Sequence, residues 1–324
     1  LNKDIENRIR GTILASACAN SLGGASLGLT RKEIMFAGGL YGFHNFMKAL
    51  PKSLLPDYRP GDLLSDTLAA LKLSDSLIAN HGTFVAPDFK QRLSELLAED
   101  DFLNYSTGAH CLLQLRKLTD GEPIEAESDE DSSHVSAAAR AYPAGCLPAG
   151  CDIAKIAVEQ ARLSHPDDRV AAAAAVLARS VSFFVSGKRL DDETSVRHYV
   201  KEHFEIAAAI DERFAEAWDD IAPDLDYISP ARELPYSLIN VDSHVTEAVP
   251  TAVGIFLIFR HNLEEAVSAA ASAGGDTDTV AAIVGALSGA YHGASAIPEH
   301  WLKQISQRER LEAVADQLIA LWKP

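Results

Sequence analysis

Apolar residues recur along this chain at intervals of three and four for nearly its whole length. Leu311, Val314, Leu318 and Leu321 trace one such stripe, and Val280, Ile283, Val284 and Leu287 trace another. Each spacing gathers its side chains on one face of a 3.6-residue helix. The runs 180–185 and 254–259 carry β-branched and aromatic residues, but both continue Ala-rich helical patterns on their N-terminal sides. Their length therefore argues for buried helix over buried strand. No Asn-Gly or Asp-Gly pair joins two alternating runs, so no hairpin is predicted. The pattern predicts helices over 4–19, 31–38, 66–80, 87–98, 108–118, 152–164, 168–186, 191–204, 205–219, 245–260, 261–273, 277–291 and 307–322. The predicted fold class is all-α. Ala clusters at 137–139, 171–175, 207–209 and 269–271 favour helix and let helix axes approach closely.

Three stretches interrupt the helical pattern. Residues 38–60 hold Pro51, Pro56 and Pro60 and read as a long irregular connection. The acidic run 122–131 reads as a solvated loop, and 221–235 carries three prolines. Helical patterns of similar character resume beyond each, and no internal repeat is present. The expectation is one domain over 1–324.

The 324 residues, 47% hydrophobic and 23% charged, are ordinary for a globular chain. Charge narrows the partners. A formal net charge of −17 repels phosphate backbones and anionic lipid surfaces, so neither nucleic acid nor membrane is expected as a partner. There is no 18-residue apolar run free of charge and no leader-like opening, which predicts a soluble, cytoplasmic protein. Cys18, Cys111, Cys146 and Cys151 form no Cys-x2-Cys pair and read as reduced thiols. An oligomeric state cannot be read from these features.

The densest chemistry lies in Gly274-Gly275-Asp276-Thr277-Asp278-Thr279, directly before a helix of small residues. One Asp or Thr would suffice to cap that helix. Two carboxylates and two hydroxyls in four residues exceed capping, and their repulsion would be relieved by a cation. Oxygen ligands select Mg²⁺, Mn²⁺ or Ca²⁺ over zinc. An EF-hand loop is excluded, because the Gly required at its sixth position and the Glu at its twelfth are absent. A second acidic helix start is Gly61-Asp62-Leu63-Leu64-Ser65-Asp66-Thr67, where Ser65 or Asp66 could be an ordinary cap. A third segment, 136–145, sets Arg140 among small residues, where it must reach solvent or pair with a carboxylate. His44, His110, His165, His244 and His292 stand singly and read as structural.

Taken in order, these segments resemble the ADP-ribosylglycohydrolase family. The match is closest in Gly274 to Thr279, the helix ending Gly289-Ala290-Tyr291-His292-Gly293, Ile297-Pro298 and Trp301. Arg8 to Gly23 resembles the family's opening helix, Gly82-Thr83-Phe84 its next element, Ala137 to Gly145 its central stretch and Ser164-His165-Pro166 its Thr-His turn.

The resemblance implies a compact, orthogonal helical bundle with Mg²⁺ or Mn²⁺, one ion or two, held by Asp66, Asp276, Asp278 and Thr279. It implies Asp66 and Asp276 as catalytic residues, with Gly274, Gly275, Ser136 and Arg140 binding substrate. The implied activity is hydrolysis of a ribosyl glycosidic bond, the partner an ADP-ribose-type small molecule or an ADP-ribosylated protein. Pyrophosphate is expected against helix N-termini and backbone N–H groups of the Gly-rich turns.

Three departures from the family pattern favour one tight ion over two, and they keep a non-catalytic binding or structural role as the alternative. Leu64-Ser65-Asp66-Thr67 stands where the family has Thr-Asp-Asp-Thr, or, shifted by one residue, Ser65-Asp66-Thr67 stands where it has Thr-Asp-Asp; either way a carboxylate is missing. Asn20 replaces the Asp of Gly-Asp-Ala-Leu-Gly, and Val135-Ser136 replaces Asn-Gly. Some members carry a functional Glu after the first helix, where this chain has Ala25-Ser26-Leu27; Glu33 fits the following helix better.

Overall fold

The small residues near the N-terminus and in the last third of the chain meet each other. α1 (Lys3–Gly24) lies along the penultimate long helix, Thr277–His292, in the most extensive pairing of the molecule. A Cβ placed on Gly11 would collide with the carbonyl of Gly289, one on Gly289 with that of Gly11, and one on Gly285 with that of Ala15. Glycine here is a packing requirement, since only a missing side chain lets two backbones come this close.

The protein is described by a computed structural model covering residues 2–38, 43–106, 109–124, 133–219, 234 and 236–323. After α1 come α2 (Arg31–Gly38), α3 (Ser65–Ala79), α4 (Ala86–Glu95), α5 (Asp100–Tyr105), α6 (Ala109–Asp120) and α7 (Ser136–Ala139). α8 (Ile153–Arg162), α9 (Asp168–Val185), α10 (Glu193–Ala208) and α11 (Glu212–Asp219) follow. The chain closes with α12 (Val245–Ile258), α13 (Leu263–Ala271), α14 (Thr277–His292), α15 (Glu299–Gln304) and α16 (Arg308–Ala320). The fold is all-α. Among the described residues, extended backbone pairs only in isolated bridges, His134 with His244, Ala149 with Cys151 and Val241 with Gly275.

Around the α1–α14 pair pack α9, α12, α13 and α16. The Ala run 171–175 of α9 is fully buried, as its composition predicts. Caps are local and legible: Asp167 accepts from the N–H of Arg169 at 2.8 Å, Asn262 from Glu265, and Asp192 exchanges bonds with Ser195 in a capping box. No helix among the described residues is long and apolar enough to cross a membrane. Cys18 and Cys146 are buried free thiols, and Cys151 is a half-buried one.

The structure departs from the predicted elements in several places. α1 runs to Gly24 rather than 19, because Asn20 to Gly24 are wholly buried and take contacts from residues distant in sequence, Asn20 from Asp66 and Ser21 from Tyr58 among them. The stretch 87–98 is a helix to Glu95 followed by a 3₁₀ turn, Leu96–Ala98. The short helices α5, α7 and α15, of four to six residues, show no apolar period long enough to detect. The irregular connection is confirmed over 43–60; the N–H of Leu50 donates to Ala25 and that of Leu54 to Leu27, laying it beside the 25–29 turn. Most of 122–131 and 221–235 falls outside the described residues.

Candidate functional site

Two acidic helix starts meet in space, though 213 residues separate Asp66 from Thr279. The α3 start follows Leu64, which provides no side-chain cap; Asp66, in the first turn, turns inward. Asp66 accepts at Oδ2 from the Thr279 hydroxyl (3.0 Å) and from Asn20 Nδ2 (3.3 Å). The same Asn20 Nδ2 donates to the backbone carbonyl of Asp278 at 3.2 Å, while Asn20 Oδ1 accepts from the Thr67 hydroxyl at 2.8 Å. One fully buried amide on α1 thus ties the starts of α3 and α14 together.

Asp276 occupies the N-cap position of α14 yet makes no side-chain cap bond. Neither carboxylate helix start is therefore explained by capping. Asp276 Oδ2 and Asp278 Oδ1 are buried without a hydrogen-bond partner, a costly arrangement for carboxylate oxygens. All three carboxyls are held above the usual carboxylate range. Burial is the main cause for each. For Asp66 the facing charge of Asp276 adds to it, against hydrogen bonds from Thr279 and Asn20 and the charge of Arg140. For Asp278 the charges of Asp276 and Asp66 add to burial, whereas Asp278 and His134 partly relieve Asp276.

The Gly-Gly turn earns its place by close approach. Gly274 and Gly275 have φ of +89° and +82°, and a Cβ on Gly275 would strike the backbone of Val241. Bonds from Gly28 N to Gly275 O (2.9 Å), Gly275 N to Leu29 O (2.8 Å) and Asp276 N to Val241 O (2.9 Å) thread the turn between two loops. This alters one expectation from the sequence. The N–H groups of Gly275, Asp276 and Thr277 are already engaged by Leu29, Val241 and Gly275 carbonyls, so they are not available to a pyrophosphate.

These groups line a cavity of about 440 Å³. Asp66, Asp276, Asp278 and Thr279 form its acidic end, Gly275, Ser136 and Arg140 also line it, and Gly274 packs behind, against Arg31 and Asn240. Leu93, Leu96, Phe102 and Leu115 make an apolar wall. Arg140 does not reach solvent, being 2% exposed. Its Nε donates to Gln160 Oε1 (2.8 Å), its Nη2 to the Ser164 hydroxyl (2.7 Å), and its guanidinium lies over the Phe89 ring. Glu33 caps α2 through Thr30, as its position in that helix suggested. Among the described residues no group of three His, Cys, Asp or Glu side chains stands ready to hold a metal ion.

Sequence reasoning overlooked His134, Asn240, Asp242 and Ser243, which also line the cavity. The bridges of His134 to His244 and of Val241 to Gly275 bring them there. The cluster Asp242-Ser243-His244 before an apolar helix was the available signal, and it reads equally well as a helix start.

The model of the ADP-ribosylglycohydrolase family matches residues 1–324. The chain belongs to this family. Among its relatives are YegU of Escherichia coli strain K12, an uncharacterized protein 28% identical over 250 residues, with 74% of each chain covered. ADP-ribosylhydrolase ARH3 of Homo sapiens is 26% identical, covering 78% of this chain and 77% of its own. The ADP-ribosyl-[dinitrogen reductase] glycohydrolase of Rhodospirillum rubrum is 24% identical, covering 98% and 97%. A solved ADP-ribosylglycohydrolase-related protein complex shares the fold, with a TM-score of 0.74 at 24% identity over 99% of this chain and 100% of that one.

Proposed function

We propose that this ADP-ribosylglycohydrolase-family chain hydrolyses the ribosyl glycosidic bond of an ADP-ribosylated protein or a related ADP-ribose conjugate, within a single domain spanning the whole chain. One observation carries the reading. Asp66, Asp276 and Asp278 converge in one cavity without capping their helices, and two of their oxygens are buried without partners. The relatives named as ADP-ribosyl hydrolases support the substrate class.

The all-oxygen donor set and the partnerless Asp276 Oδ2 and Asp278 Oδ1 fit a hard divalent cation, Mg²⁺ or Mn²⁺. Asp66, Asp276, Asp278 and Thr279 would hold it by drawing together around it, because the three carboxylates do not stand at ligand spacing without an ion; Ser65 and Asn20, where the family pattern has Asp, argue for one ion. When bound, such an ion polarises coordinated oxygens and lowers the pKa of water. Cleavage at the anomeric carbon passes through an oxocarbenium-like state. The carboxylate of Asp66 stabilises the positive charge that develops on the ribose, and the Asp276 carboxylate takes a proton from the attacking water through the oxygen it does not give to the ion.

A second reading, binding without turnover, draws on Asn20. Its amide and the Thr279 hydroxyl together occupy Asp66 Oδ2, leaving that carboxylate less free to act.

Chromatography of ADP-ribose released from Arg- and Ser-modified peptides separates the two. The proposal expects release that requires Mg²⁺ or Mn²⁺, stops with chelator and is lost in Asp276→Asn. Binding of ADP-ribose without release from either peptide would establish the second reading, and absence of binding would sink both.

A further inference from the structure

Because the turn before α14 spends its N–H groups internally, a ligand rich in acceptor oxygens needs donors from elsewhere in the cavity. The hydrogen bonds behind Ser136 have a fixed direction. Gln160 Nε2 donates to the carbonyls of Ala137 (2.7 Å) and Ala157 (3.1 Å), which turns Gln160 Oε1 toward Arg140 Nε. That clamps the guanidinium, whose Nη2 donates to Ser164 Oγ at 2.7 Å. A guanidinium has no acceptor, so the Ser164 hydroxyl must send its own hydrogen elsewhere. Its one other side-chain partner is His165 Nδ1, at 2.9 Å, and Ser164 is 1% exposed. Nδ1 is therefore the acceptor, and His165 carries its hydrogen on Nε2. Nε2 faces Ser136 Oγ at 3.4 Å, a long bond in which the imidazole donates. With a lone pair so used, the Ser136 hydroxyl still has its hydrogen to give, and Ser136 lines the cavity.

We infer that Ser164 and His165 are positioning residues, oriented by Arg140, that fix Ser136 as a hydrogen-bond donor to an acceptor oxygen of an ADP-ribose-type ligand. The assignment rests on the substrate class proposed above. It gives a role to a hydroxyl standing where the family pattern has Gly, and it places a donor in a cavity whose other polar end is acidic.

The test pairs two measurements on the full chain. Nitrogen-15 NMR of labelled histidine, without ligand, reads the His165 tautomer; calorimetric titration with ADP-ribose reads affinity. Wild type should show the Nε2–H tautomer. Ser136→Ala should keep that tautomer and lose about ten- to a hundredfold in affinity, the worth of one hydrogen bond to a charged acceptor. Ser164→Ala should release the tautomer and weaken binding, and Ser164→Thr should restore both. A merely structural Ser164 would not move the tautomer.

An Nδ1–H tautomer in wild type overturns the relay, whatever the ligand. Unchanged affinity in Ser136→Ala overturns the donor role even if Ser164→Ala fails to fold. A wild type that shows the Nε2–H tautomer and binds no ADP-ribose overturns the substrate class together with the donor role, and is told apart from failure of the relay by the NMR signal.

Discussion

Replacing Arg8 by Met should cost this protein about 3–6 kcal/mol of stability, because one guanidinium closes the C-terminal ends of two helices. Arg8 sits in α1 and is 7% exposed. Its Nη1 faces the carbonyls of Phe184 (3.2 Å), Ala290 (3.0 Å) and Tyr291 (2.6 Å), at the ends of α9 and α14. The last carbonyls of a helix have no partner within it, and the macrodipole makes that end attract a cation. Nη1 carries two hydrogens, so three carbonyls share two good bonds, each worth roughly 1.5–3 kcal/mol when the donor is charged. The Asp4 partner at 2.8 Å is half exposed and adds only about 0–1 kcal/mol. Methionine retains most of the buried stem, so the loss reports the guanidinium rather than its packing. Urea unfolding followed by circular dichroism should show a lower midpoint at unchanged slope, while Asp4→Ala stays within about 1 kcal/mol of wild type. A loss below about 1 kcal/mol in Arg8→Met would refute the argument. It would mean that the carbonyls of Phe184 and Ala290 find other donors once the arginine is gone, as that of Tyr291 already has in Arg189 Nη1 at 3.0 Å.

His203 is buried against Tyr199, Phe183 and Trp218, and burial holds its imidazole down to about 4 from an ordinary 6.5. The unfolded chain binds the extra proton between those values, so stability should fall by about 3 kcal/mol as pH drops from 6.5 through 4; His203→Gln should flatten that part of the urea-midpoint profile, and an unchanged slope would exclude His203 as its source. Asn20→Asp restores the carboxylate of the family pattern beside Asp66 and Asp278, so it should destabilise the protein in chelator and tighten Mn²⁺ binding by roughly tenfold or more in calorimetry. Equal affinities in mutant and wild type would show that position 20 lies outside any ion's reach.

The long amphipathic helices were legible because their apolar periods extend over three or more turns, as in 277–291 and 307–322, which the structure places at Thr277–His292 and Arg308–Ala320. What escaped the sequence was set by contacts distant along the chain. α1 passes its predicted end because Asn20 is tied to α3 and α14, Gly23 backs onto the start of α14, and Ser21 and Gly24 meet Tyr58, a cause absent from local spacing. The four-residue α7 leaves no period to read, although it carries Ser136 into the cavity.

The site divides along the same line. Surplus carboxylates at 276 and 278 are visible in sequence because capping needs only one of them, and the surplus is what the buried, partnerless oxygens express in three dimensions. Asn20 shows the reverse case. Against the family pattern it reads as a loss of polarity, a carboxylate replaced by an amide. In the structure that amide donates to Asp66 Oδ2 and to the Asp278 carbonyl, two bonds that an aspartate, having no hydrogen to give, would forfeit. Asn20 therefore substitutes a hydrogen-bond strut for a negative charge at the junction of α1, α3 and α14. Four carboxylates would need a cation to stay together; three carboxylates and an amide hold the same three helices with less demand for one. The exchange moves the burden of assembling the cavity from a bound ion toward the chain, and Asn20→Asp measures how far.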